Sequence, residues 1–67
     1  MQGAEQRIMT FAESVKNYRK KRGLSQGALA TEIGVDQGTV SRIENGVAPA
    51  KTVEILLVRM MKEVEGV

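Results

Sequence analysis

A small all-α domain of four, or at most five, helices is the fold class this sequence predicts, on three observations. Apolar residues recur at intervals of three and four through Phe11, Val15 and Tyr18, through Leu29, Ala30 and Ile33, and through Val40 and Ile43, the spacing that lines one face of a helix. Thr10, Ser25 and Asp36 precede those runs where N-caps belong, and Gly23, Gly34 and Asn45-Gly46 follow them where helices stop. No strand is expected anywhere.

The first helix is expected to start at Thr10. Thr10 and Glu13 have capping-box spacing, so that each side chain can reach the other's backbone amide. Phe11, Val15 and Tyr18 give it an apolar face, and Gly23 ends it. Leu24 then reads as a buried plug. Ser25 N-caps a second helix over about Gln26 to Ile33, and Asp36 N-caps a third over about Gln37 to Glu44, where its carboxylate also suits the positive helix end. Pro49 is well suited to a first helical turn, so a fourth helix is expected from about there to Val64. Its residues Val53, Leu56, Leu57, Met60, Met61 and Val64 fit one core-facing stripe, whereas Ile55 and Val58 fall opposite, near Arg59 and Lys62. Those two are either isolated exposed apolars or part of a contact patch. Gly27 and Gly38 lie inside helices, at a cost of up to about 1 kcal/mol each relative to alanine.

Composition narrows the function classes. Sixty-seven residues make one domain, and a chain this short buries only about 60% of its unfolded surface, leaving no room for a catalytic cleft. With no cysteine and no histidine, the usual zinc sites, thiol nucleophiles and imidazole bases are all missing, so neither an enzyme nor a cofactor or metal is expected. Asp36, Glu44 and Ser41 are better explained by caps and ion pairs than as a catalytic set. No segment has the roughly 20 apolar residues that span a bilayer, and the expected location is the cytoplasm. Residues 1–9 are expected to form a flexible arm, 10–64 the domain, and 65–67 a tail.

The net charge of +2 is unevenly placed. Lys16 to Lys51 holds seven basic residues against three acidic ones, while the segments on either side each come to −1. Lys20, Lys21 and Arg22 fit either a solvated helix end favoured by the dipole or contacts to an anionic partner.

Only Val35 and Asp36 separate Gly34 from the third helix, so the second and third helices must cross steeply over residues 25–46. That is a helix-turn-helix, the arrangement that sets a helix into the DNA major groove. Gly23-Leu24-Ser25-Gln26, Leu29-Ala30, Ile33-Gly34-Val35 and Thr39-Val40-Ser41-Arg42-Ile43-Glu44-Asn45-Gly46 together resemble the XRE family of Cro/cI-type helix-turn-helix domains, in the family's spacing and without a gap. The resemblance extends to helix one through Val15, Tyr18 and Arg19. It implies a compact repressor-like fold, double-stranded DNA as ligand and transcriptional regulation as role. Family members usually carry five helices, whereas one long helix fills the span of the last two here.

The resemblance also implies roles for single residues. Gln37 holds the position used for base contact, where a carboxamide can pair with adenine N6 and N7, and Arg42 could reach guanine or a phosphate. The plainer readings are a solvent-facing glutamine and an arginine paired with Glu44 or another carboxylate. Gly38 matches a base-reading position but has no side chain, and Thr39 completes the base-contacting set. Ser25, Gln26, Ser41, Asn45 and Lys51 are expected to meet phosphates, with Gln26 also supporting the residue that opens helix three. Arg19 and Glu44 match a structural salt bridge between helix one and the end of helix three. A homodimer through helix four on a palindromic operator is the expected assembly, and the alternative is an antitoxin-like or adaptor module whose fourth helix grips a toxin or a larger C-terminal domain.

Overall fold

The computed structural model describes residues 9–65, with side chains through Glu63. The expected arm falls outside it except for Met9, as do the tail beyond Glu65 and the side chain of Val64. Four helices follow in order, α1 (Phe11–Lys21), α2 (Gln26–Ile33), α3 (Gln37–Glu44) and α4 (Lys51–Glu65), with no strand among the described residues.

Local chemistry sets the helix ends. Thr10 Oγ1 accepts from the Glu13 amide and the Glu13 carboxylate accepts from the Thr10 amide, both at 3.1 Å, completing the capping box. Ser25 Oγ accepts from the Ala28 amide at 3.0 Å, and Asp36 Oδ1 from the Thr39 amide at 2.9 Å. The first three helices stop in the same way. Gly23, Gly34 and Gly46 turn left-handed at φ 69, 80 and 100°, where a Cβ would be strained. The following amides of Leu24, Val35 and Val47 then bond back to Arg19, Ala30 and Arg42 at 2.9 to 3.1 Å. This pairing uses carbonyls that would otherwise be orphaned and is normally sealed by an apolar residue after the glycine. Leu24 and Val35 do pack on the core, while Val47 stays 52% exposed.

The core is formed by Val15, Tyr18, Leu29, Ala30, Ile33, Val40, Ile43 and Leu57, with Phe11, Leu24, Val53, Met60 and Met61 packed against it. Two expectations for α4 need correction. It begins at Lys51 rather than Pro49: Ala50 supplies the first helical carbonyl, bonded to the Glu54 amide at 2.9 Å, and Pro49 instead lines a groove with Phe11 and Ile43. The buried stripe is centred on Leu57, so Leu56, about 100° around the helix, lies outside it at 37% exposed. Val58, about 100° the other way, is half-buried, and Ile55 is 50% exposed as expected.

Candidate nucleic-acid interface

α3 buries Val40 and Ile43 and turns its other side outward. Gln37, Gly38, Arg42 and Asn45 are exposed there, with Ser41 half-buried among them and Thr39 half-buried beyond Arg42 at the margin. Gln37 and Arg42 stand about 140° apart around the helix axis, with Gly38 and Ser41 between them, so they flank one outward strip instead of sharing a single row.

Each edge of that strip is held by a hydrogen-bonded group. On the α2 side, Gln37 Nε2 donates to Gln26 Oε1 at 3.3 Å, and Gln26 Nε2 donates to Glu44 Oε1 at 3.1 Å. On the other side, Thr39 Oγ1 donates to Asp36 Oδ1 at 2.6 Å and accepts from Arg42 Nη2 at 3.2 Å. The Thr39 hydroxyl and backbone amide, in that order, hold the Asp36 carboxyl below its ordinary range. Among the described residues Arg42 therefore reaches Asp36 through Thr39 and its charge, with no direct hydrogen bond to a carboxylate, and its plainer reading as a partner of Glu44 is not what the structure shows.

Gly38 gains a local explanation. A Cβ built there would come within 3.3 Å of Arg42 Nη1, so the bare glycine is the seat over which the guanidinium folds. That neighbour is the end of a flexible chain and can move. Gly38→Ala is expected to raise the melting temperature by a few degrees, since alanine favours a helix over glycine by up to about 1 kcal/mol. A lower melting temperature would show that the guanidinium is fixed in place.

The phosphate candidates are placed differently. Ser25 is engaged in capping α2, Asn45 Nδ2 donates to the Ser41 carbonyl at 2.9 Å, and Lys51 is exposed at the start of α4. Gln26, at the first turn of α2, lies beside Gln37.

Arg19 and Glu44 form the ion pair expected of them. Arg19 Nε meets Glu44 Oε2 at 2.6 Å and Nη2 meets Oε1 at 3.0 Å, with the two side chains 13% and 2% exposed, and Nη1 donates to the Leu24 carbonyl at 2.8 Å. Burial is the largest influence on Glu44 and acts to raise its pKa. Hydrogen bonds from Arg19 and Gln26, with the charges of Arg19 and Lys16, outweigh it and leave the carboxyl below its ordinary value.

One basic candidate is committed elsewhere. Arg22 donates to Glu32 Oε1 at 2.5 Å and Oε2 at 3.0 Å, and to Tyr18 Oη at 2.8 Å, its guanidinium 5.5 Å from the Tyr18 ring. It braces α1 against α2 and is not free for a phosphate. Its partner Glu32 is ten residues away in sequence, outside any local pattern, which is why spacing did not reveal the pair. Lys20 and Lys21 remain exposed.

Among the described residues no helix is long and apolar enough to cross a membrane, and no group of three or more acidic side chains could hold a metal ion. Neither a curated protein nor a solved structure matches this chain. A helix-turn-helix family model matches residues 15–58, from the first fully buried residue of α1 to Val58 of α4, and so takes in the whole core and both edges of the outward strip. On that match and this geometry, the chain belongs to the XRE-type helix-turn-helix family, a family of DNA-binding regulatory domains.

Proposed function

We propose that this protein is a repressor-like transcriptional regulator that inserts α3 into the major groove of a palindromic operator. The observation that carries the reading is the division of α3, whose apolar side is sealed by the core while Gln37, Gly38 and Arg42 line the opposite side with Thr39 at its margin. Gln37 offers an acceptor and a donor to adenine, and Arg42 offers a donor fork to guanine. Ser25, Gln26, Ser41, Asn45 and Lys51 would supply the phosphate contacts that fix register. Ile55 and Leu56, exposed on α4, are the apolar surface on which a second copy would pair, giving half-sites about one helical turn apart.

The same exposed pair supports a second reading, in which α4 grips a different protein and the motif serves as a scaffold. Titrations separate the two. A duplex selected from a random pool and an unselected duplex are each titrated with the wild type, Gln37→Ala and Lys51→Ala. Gln37→Ala is expected to lose about 1–3 kcal/mol on the selected duplex and little on the other. Lys51→Ala is expected to weaken both alike and to lower the salt slope by about 1. Equal small losses on both duplexes for Gln37→Ala would refute base reading, and no salt-sensitive binding at all would favour the scaffold reading.

A further inference from the structure

The ion pair between α1 and α3 does not end at Glu44. The carboxylate oxygen that accepts from Arg19 Nη2 at 3.0 Å also accepts from Gln26 Nε2 at 3.1 Å, and Gln26 Oε1 accepts in turn from Gln37 Nε2 at 3.3 Å. An amide can turn either its oxygen or its nitrogen toward a neighbour, whereas an ionised carboxylate can only accept. Glu44 therefore dictates the direction of every bond after it. Gln26 must present nitrogen to Glu44, and in the structure its oxygen then faces Gln37, which answers with nitrogen.

We infer that Glu44 is a positioning residue for DNA recognition, its buried carboxylate fixing the amide orientation of Gln37 through Gln26 and so selecting the base that α3 prefers. This rests on the proposed reading of Gln37 as a base contact. With one N–H spent on Gln26, Gln37 keeps its carbonyl and its second N–H for the groove. That acceptor and donor complement adenine's N6 amino group and N7. The opposite orientation would spend the carbonyl and leave only donors, the set that complements the two acceptors of guanine, O6 and N7.

Two substitutions interrogate the relay. Gln26→Lys places an ammonium, a donor in every direction, between Glu44 and Gln37, which keeps an attractive partner for the carboxylate but forces Gln37 to turn its oxygen inward. Glu44→Gln removes the acceptor-only end and lets both orientations compete. Each variant, with wild type and Gln37→Ala, is used to select bound duplexes from a random pool below its own melting temperature, and the base frequencies at each position are compared.

The expected result is one position at which wild type prefers adenine by about tenfold or more. That preference moves to guanine in Gln26→Lys, relaxes in Glu44→Gln and disappears in Gln37→Ala, with the other positions retained. A purely structural Glu44 would lower melting temperature and binding to all sequences without changing that position. Adenine retained in Gln26→Lys, or in a folded Glu44→Gln, overturns the inference. If Glu44→Gln does not fold, Gln26→Lys decides alone. If Gln37→Ala alters no position, the base-contact reading itself fails, a different outcome from an intact adenine preference in the relay variants.

Discussion

Replacing Arg19 with methionine is expected to cost this domain roughly a third or more of its stability. The substitution keeps much of the side-chain bulk but strands Glu44, whose side chain is 2% exposed, without its charged partner. Removing one member of a buried pair typically costs about 3–5 kcal/mol, because the remaining charge stays desolvated. A domain of this length has a total stability of only about 3–10 kcal/mol, so the loss is a large fraction of the whole. Arg22→Met makes the contrast. Its pair with Glu32 is 35% and 38% exposed, and water can replace the lost partner, so a far smaller change in urea midpoint is expected. Equal midpoints for the two variants would contradict the assignment of Arg19 to the buried network.

The same pair gives the fold an acid limit. The folded-state pKa of Glu44 lies below the ordinary 4.5, so the unfolded chain takes up its proton first as pH drops. The stabilisation is complete above that value and is lost as pH falls through the lower folded value. Urea midpoints of the wild type should therefore decline below about pH 4.5, and loss of Arg19 should flatten that decline.

Leu57→Ala carries the second large effect, about 2–5 kcal/mol. Leu57 is fully buried, whereas its neighbours in the α4 stripe, Val53, Met60 and Met61, are only partly so. It is the centre of the seam by which α4 meets α1 and α2. Leu56→Ala, one position earlier, should shift the melting temperature little, since Leu56 is already 37% exposed. Thermal melts of both variants check the rotation of α4. A larger loss from Leu56 than from Leu57 would mean that α4 presents the other edge to the core.

What could be read from the sequence was mostly local. Thr10, Ser25 and Asp36 cap the helices they precede, and Gly23, Gly34 and Gly46 end the first three, because caps and left-handed stops involve residues within a few positions of one another. The rotation of α4 was not legible. A wide apolar arc admits more than one buried centre, and the choice between Leu56 and Leu57 belongs to the surfaces of α1 and α2. The site divides in the same way. Exposure of Gln37 and Arg42 follows from the burial of Val40 and Ile43 on the opposite side of α3, and the Arg19–Glu44 pair came from a family resemblance. The bond from Gln26 to Glu44 joins residues 18 apart, and the seat that Gly38 provides for Arg42 depends on the fold of one flexible side chain; neither leaves a pattern in spacing or composition.

The claim on which the functional reading depends is that the outward strip of α3 is the surface that meets DNA. Titrating isotope-labelled protein with duplex DNA and following its backbone amide resonances tests this residue by residue. Amides of residues 37–45 and of the first turn of α2 should shift most, with the response fading as salt is raised. Shifts confined to α4 around Ile55 and Leu56, or no response at low salt, would contradict it.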